Sequence, residues 1–254
     1  MDSVRQFYNS YKYPVVNLYT NRQRKHNNKL MDEILECADL CKEDLHGLRV
    51  LDAGCGTGVK SVFMAKQGAR VTAIDFSEGQ LKEAKLNALK NKVNIVFVHK
   101  DLIKDDLSDL RKFDLVICTG VLHHTESAKQ SFAKLARLLK PTGSIILGLY
   151  HKYSRFRYRI LRLLVRTQVS SDPAKIIKWL QNSWIAKPIA KAPLATLYDR
   201  YCVPFESYHT LSEVKRWFKE NDIDFVGHSS NVKGLEPFRL FENKTIFFVS
   251  GKQK

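Results

Sequence analysis

The segment Leu51-Asp52-Ala53-Gly54-Cys55-Gly56-Thr57-Gly58 gathers the residue types from which a small-molecule cradle is built. Glycines at 54, 56 and 58 let the backbone bend sharply and let a ligand come close where a Cβ would stand in the way. Leu48–Ala53 reads as a short apolar strand and Val59–Gln67 as a helix, so the bend falls where a strand meets a helix N-terminus. Two acids flank it. Asp52 directly precedes the bend, and Asp75 ends the next apolar run, where a ribose-binding carboxylate belongs. The spacing is Gly-x-Gly-x-Gly, not the Gly-x-Gly-x-x-Gly of nicotinamide dinucleotide sites. A diphosphate beside Asp52 would be repelled, whereas a cationic ligand would be attracted. The nicotinamide reading is set aside.

The remaining candidate groups lie further along the chain. His123 and His124 follow the fourth apolar run, and imidazole is the side chain that titrates near neutral pH. Tyr198-Asp199-Arg200-Tyr201-Cys202-Val203-Pro204-Phe205-Glu206-Ser207-Tyr208-His209-Thr210 concentrates aromatic and ionisable groups, with Tyr201 and His209 the best candidates on the acceptor side. Each has a plain structural alternative: a pocket wall, a lid contact or a helix cap. Five scattered cysteines, with no Cys-x-x-Cys or His-x-x-x-His pair, support neither a disulfide framework nor a metal site.

The elements that must position these groups alternate regularly. Strands are expected at Leu48–Ala53, Arg70–Phe76, Asn94–His99, Phe113–Cys118 and Ser144–Leu149, with helices at Val59–Gln67, Ser77–Asn91 and Ala128–Leu139. Alternation of this kind predicts a doubly wound α/β fold with a mostly parallel sheet. Thr210–Glu220 reads as a last helix, and Ile223–Val226 and Thr245–Ser250 as an antiparallel hairpin, which brings the sheet to seven strands. Three regions follow: an aromatic and basic amino-terminal arm and helix over 1–44, a core over 45–150 and 208–254, and a helical insertion over 151–207 after the fifth strand.

In register with these elements, Leu51 to Gly58, Val71-Thr72-Ala73-Ile74-Asp75-Phe76-Ser77, His99-Lys100-Asp101-Leu102, Phe113-Asp114-Leu115-Val116 and Leu138-Leu139-Lys140-Pro141-Thr142-Gly143 form an ordered series over residues 45–150. The series resembles the motifs of class I S-adenosylmethionine-dependent methyltransferases. Thr119-Gly120-Val121-Leu122-His123-His124 is most similar to the branch that includes quinone-biosynthesis and other small-molecule methyltransferases. The resemblance implies that Gly54, Gly56 and Gly58 face the methionine moiety of the cofactor, with Asp52 near its ammonium group. It also implies that Asp75 and Phe76 border the ribose, Asp101 and Leu102 the adenine, and Thr119 and Gly120 the sulfonium. At the amino terminus, Tyr8, Tyr11 and Tyr13 would close over the cofactor, because aromatic faces attract cations, while Arg22 or Arg24 would pair with its carboxylate. The chemistry is an in-line displacement in which the protein mainly aligns the partners. A hydroxyl or protonated amine acceptor would need a base, and His123, His124, Tyr201 and His209 are the candidates.

Composition supports a folded chain with a substantial core: 44% of residues are hydrophobic and 27% charged in a chain of 254. No apolar run reaches the ~20 residues of a membrane span and no signal peptide is evident, so a cytoplasmic setting is expected. The net charge of +16 is uneven, because residues 151–200 hold eleven Lys or Arg against two acids. Arg155, Arg159, Arg162 and Arg166 form one helical stripe, opposite Phe156, Ile160, Leu163 and Leu164. The expectation is a lid over the acceptor with its charged side in water. Alternatives are a grip on RNA phosphates or contact with an anionic membrane surface. The leading function is methyl transfer to oxygen or nitrogen of a small, anionic or lipid-like molecule. The second is RNA, most plausibly tRNA, methylation through residues 151–200, although no Asn/Asp/Ser-Pro-Pro-Tyr/Phe motif of base amino-methyltransferases is present. The third is a non-catalytic binding module of the same fold.

Overall fold

A computed structural model describes residues 7, 21–184, 194–229 and 246–254; the backbone alone is described for 21–24, 157, 195 and 196. Helix α1 (Asn21–Glu36) precedes the sheet. Strand β1 (Arg49–Ala53) is followed by α2 (Val59–Lys66), β2 (Arg70–Asp75), α3 (Glu78–Lys90) and β3 (Ile95–His99). Strand β4 (Phe113–Thr119), α4 (Ala128–Ala136) and β5 (Leu139–Tyr150) complete the parallel part. The chain then forms α5 (Phe156–Gln168), α6 (Pro173–Asn182) and a short α7 (Leu194–Leu197) that runs into a π turn, Tyr198–Cys202. Helix α8 (Leu211–Lys219) leads into β6 (Ile223–His228) and β7 (Ile246–Gln253).

The seven strands lie in the order β3-β2-β1-β4-β5-β7-β6. The first five are parallel, and β7 runs antiparallel to both β5 and β6. The doubly wound sheet with a carboxyl-terminal antiparallel pair is therefore as expected. Both faces are covered, which is why the central strands bury apolar residues on both sides of the sheet. Leu51, Val116 and Leu147 face a core shared with Phe132 of α4 and Phe218 of α8. Val50, Leu115, Ile117 and Ile146 face the other side, against Met31, Ile34 and Leu35 of α1 and Met64 of α2.

Helix starts follow side-chain capping. The hydroxyls of Ser77, Ser127 and Thr210 accept from the N–H of the third residue of α3, α4 and α8, and Asp172 caps α6 ahead of Pro173. Strand β5 is longer than Ser144–Leu149. Leu139 already pairs with Phe113, a turn with Thr142 at φ 62° follows, and pairing with β4 resumes at Ser144. Helix α4 accordingly stops at Ala136, short of Leu139.

The α5 stripe runs opposite to expectation. Arg155 and Arg162 are buried and Arg166 is half-buried, whereas Phe156, Ile160, Leu163 and Leu164 point to solvent. The cause is a buried acceptor, Glu206, that the arginines reach from α5. Val165 is the apolar residue of α5 that is fully buried; it packs with Ile176, Ile177, Leu180, Leu197, Tyr201 and Phe7 in a small core of their own. Among the described residues no helix is long and apolar enough to cross a membrane, and no cluster of His, Cys, Asp or Glu could hold a metal ion.

Candidate active site

Strand order reverses between β1 and β4, in the middle of the sheet. A reversal of this kind leaves a crevice beyond the carboxyl ends of the two strands, because the connections leave for opposite faces. The glycine bend after β1 and the Thr119-Gly120 corner after β4 both lie there. The bend is tied to β2: the N–H groups of Gly54 and Cys55 donate to the Ile74 carbonyl at 2.8 and 3.0 Å. Asp75 braces it further, Oδ2 accepting from Gly56 N–H at 2.8 Å and Oδ1 from Ser77 N–H at 2.9 Å.

Gly54, Gly56 and Gly58 are all left-handed, with φ of 74°, 54° and 74°. Their surroundings differ. A Cβ on Gly54 would stand 2.3 Å from a Val121 methyl carbon, and one on Gly58 would stand 2.9 Å from the Ala84 Cβ. Among the described residues, a Cβ on Gly56 would meet nothing within 4 Å, and the same holds for Gly120, at φ 78°. Two glycines thus let the bend pack against its neighbours, while Gly56 and Gly120 present bare backbone to open space.

Asp52 is fully buried at the end of β1. Its Oδ2 accepts from Ser61 Oγ at 2.6 Å, and Oδ1 has no hydrogen-bond partner among the described residues. A buried carboxylate oxygen left without a donor is costly, so this atom calls for a donor from a ligand. Burial raises the carboxyl pKa of Asp75 above the usual range, and the two backbone donors only partly offset it. Each Asp75 oxygen keeps a second lone pair. Phe76 is half-buried, and its carbonyl lies 2.8 Å from His99 Nε2. Asp101 caps the following turn, Oδ1 accepting from Ile103 N–H at 2.8 Å, and Leu102 is buried in the core beneath with Ala53 and Ile74.

His123 and His124 sit in a short 3-10 turn after Gly120. His123 is wholly buried, neither ring nitrogen has a partner among the described residues, and the ring stacks on Tyr150 at 3.6 Å. Burial, with His124, Arg155 and His209 nearby, pushes its pKa well below the ordinary 6.5. His124 lies edge-on to the same tyrosine. Its Nδ1 is 3.0 Å from the Phe205 carbonyl, which only accepts, so that nitrogen carries the proton and Nε2 the lone pair. Nε2 lies 3.9 Å from Asp199 Oδ1. Burial lowers the His124 pKa, and the Asp199 charge partly restores it.

Tyr150, Asp199, Arg155 and Glu206 organise this corner; Asp199 and Glu206 lie in the ionisable segment and Arg155 in the arginine stripe that the sequence marks, but none of the four was expected at the site. The Tyr150 hydroxyl donates to Asp199 Oδ2 at 2.6 Å. The Arg155 guanidinium lies 3.6 Å from the centre of the Tyr150 ring, so the ring is clasped between His123 on one face and Arg155 on the other. Arg155 donates to both Glu206 oxygens at 3.1 Å, Arg162 to Oε1, and the Tyr208 hydroxyl to Oε2 at 2.8 Å. The signal available in the sequence was Glu206 itself, a lone acid facing many arginines.

His209 Nε2 is 2.8 Å from Ser207 Oγ and Nδ1 is 3.1 Å from Glu213 Oε1, so both of its nitrogens are engaged. Ser207 N–H donates to the His123 carbonyl at 2.7 Å, which places His209 beside the histidine corner. Tyr201 lies apart, in the small core of the insertion, with its hydroxyl sealed and its pKa pushed up to about 12 by burial. Tyr8, Tyr11 and Tyr13 lie outside the described residues, and Arg22 and Arg24 lie in α1 without described side chains.

Residues 50–143 match the family described as Methyltransferase domain. The chain is 38% identical over 108 residues to a ubiquinone biosynthesis O-methyltransferase of Alkalilimnicola ehrlichii, covering 42% of this chain and 43% of that protein. It is 34% identical over 151 residues to the protein of the same name in Xanthomonas oryzae pv. oryzae, covering 55% of this chain and 63% of that one. The match thus spans about half of these relatives' length. Among solved structures, magnesium protoporphyrin IX methyltransferase from Synechocystis superposes with a TM-score of 0.59 at 19% identity, covering 100% of this chain and 93% of that one. Motifs, matched domain and strand order agree: residues 50–143 are similar to the methyltransferase domain family, and the sheet has the Rossmann-like fold of these solved methyltransferases.

Proposed function

We propose that this protein transfers a methyl group from S-adenosylmethionine to an oxygen or nitrogen of a small, lipid-like molecule. The observation that carries the reading is the pairing of a donor-seeking Asp52 oxygen with bare backbone at Gly56 and Gly120 across the β1–β4 crevice. These residues fit the cofactor. Asp52 would hold its ammonium group, Asp75 would accept from its ribose hydroxyls, and Gly56 and Gly120 would leave it room. When bound, the cofactor supplies an electrophilic methyl group on a sulfonium. His124 is the base we favour, because the Phe205 carbonyl holds the proton on Nδ1 and leaves the lone pair on Nε2, with Asp199 near enough to stabilise the protonated ring. The names of the relatives support the acceptor class.

In this reading residues 45–150 and 208–254 form the cofactor-binding core and 151–207 the acceptor lid, in a cytoplasmic protein with reduced cysteines. RNA methylation is less well supported, because Arg155 and Arg162 are turned into the protein and not toward phosphates. Calorimetric titration with S-adenosylmethionine and its demethylated product tests the proposal. Wild type should bind both, and Gly56→Arg, which fills the open side of the bend, should weaken both by at least about tenfold while the fold is retained. A folded wild type that binds neither would overturn it.

A further inference from the structure

The spacing Ser207-x-His209-x-x-x-Glu213 offers a hydroxyl, an imidazole and a carboxylate, and methyl transfer with His124 as base leaves the three unused. Local structure brings them into series. Ser207 N–H donates to the His123 carbonyl at 2.7 Å, and His209 N–H to the Tyr150 carbonyl at 2.9 Å, so His209 forms a parallel bridge with His151 at the end of β5. In a strand-like stretch residues two apart project to the same side, which sets the Ser207 hydroxyl beside the His209 ring. Glu213 follows in the first turn of α8, where Thr210 Oγ1 accepts from its N–H at 3.2 Å.

The distances fix the roles. Glu213 Oε1 lies 3.1 Å from His209 Nδ1, and a carboxylate only accepts, so Nδ1 carries the proton and Nε2 the lone pair. Ser207 Oγ, 2.8 Å from Nε2, donates to it; the His123 carbonyl, at 3.2 Å, is the longer alternative for the same proton. The His209 ring is buried and packs edge-on against Trp217 at 4.9 Å, whereas Ser207 is half-buried and keeps access to solvent. A hydroxyl on a base that a carboxylate orients is the arrangement that activates a serine. The N–H of Tyr208 donates to no group among the described residues. It directly follows Ser207, the position from which a backbone N–H meets the oxygen of an attacked carbonyl.

We propose that Ser207 is a nucleophile that cleaves a carboxylic ester, with His209 as its base and Glu213 orienting the ring. Ser207 Oγ bonds to the acyl carbon and the ester C–O bond breaks. The hydroxyl proton passes through His209 Nε2 to the departing alcohol. Water, giving its proton to His209, then attacks the acyl-serine; the carboxylic acid leaves and Oγ takes the proton back. An ester suits this site better than an amide. One N–H stabilises a developing oxyanion less than a pair does, and an alcohol leaves more readily than an amine. The reaction needs no methyl donor and stands whether or not the methyl-transfer reading holds.

Treatment of the full chain with a fluorescent fluorophosphonate, without S-adenosylmethionine, followed by mass spectrometry of the labelled peptide, provides the test. Attack of Oγ on phosphorus with loss of fluoride should mark Ser207 in wild type. Labelling of that serine should be at least about a hundredfold slower in His209→Gln and at least about tenfold slower in Glu213→Gln. The second variant keeps an amide that can still hydrogen-bond and leaves the Thr210 cap in place, so its circular dichroism should match wild type and its loss reports the missing charge. Hydrolysis of p-nitrophenyl butyrate should fall to the uncatalysed rate in Ser207→Ala. A folded wild type that stays unlabelled at Ser207 would overturn the proposal. So would labelling at the wild-type rate in both His209→Gln and Glu213→Gln, or ester hydrolysis that Ser207→Ala leaves unchanged.

Discussion

At the scale of single residues, the central contrast is between two adjacent histidines. His123 is enclosed by Tyr150, His124 and buried backbone, and burial keeps its ring neutral. For His124 a carbonyl sets the tautomer, and the nearby Asp199 carboxylate makes the charge state tunable. If His124 is the base, its neutral form must be present, and activity falls as pH drops through its depressed pKa. His124→Gln should remove this acidic limb and lower kcat about a hundredfold while leaving cofactor affinity in place. Asp199→Asn removes the charge that partly restores the pKa, so the limb should move to lower pH, with the KM for the cofactor little changed. A pH–rate profile whose acidic limb is the same in both variants as in wild type would reject His124 as the base.

At the scale of elements, the insertion is locked to the core by charge more than by apolar packing. Glu206 receives two guanidiniums and a phenol with almost no solvent, and Arg155 also covers Tyr150 at the end of β5. A buried ion cluster is weak evidence of net stability, but breaking one from a single side leaves an uncompensated charge. Glu206→Gln should cost about 3–5 kcal/mol, read as a melting temperature lower by roughly ten degrees. Changing Arg155, Arg162 and Glu206 together to Met, Leu and Gln should cost less than Glu206→Gln alone, because no unpaired charge remains. Equal losses in the two proteins would show that packing, not charge pairing, holds α5.

At the scale of the whole molecule, buried imidazoles link stability to pH. His123 and His124 have folded pKa values below the ordinary 6.5, so the unfolded chain binds protons that the native chain does not. Their contribution is fully present above about pH 6.5 and is lost as pH falls below it, with a slope of up to ~1.4 kcal/mol per pH unit for each ring. Urea melts between pH 7 and pH 5 should show this decline, and His123→Phe, which keeps the stack on Tyr150, should flatten it. An unchanged slope in that variant would exclude His123 as a source.

The sequence alone was enough to set out the alternating strands and helices, the glycine bend and the acids beside it. These depend on local rules: apolar runs in buried strands, serine and threonine caps, and glycine where φ is positive. Placing Val121 and Ala84 against Gly54 and Gly58, and leaving Gly56 bare, needed the tertiary structure, because those neighbours are far away in the chain. The same is true of α5. Periodicity shows that the helix has an arginine face and an apolar face, but not which one turns inward. That choice was made by Glu206, 51 residues after Arg155, because a buried carboxylate outweighs the preference of leucine for the interior when two guanidiniums can reach it.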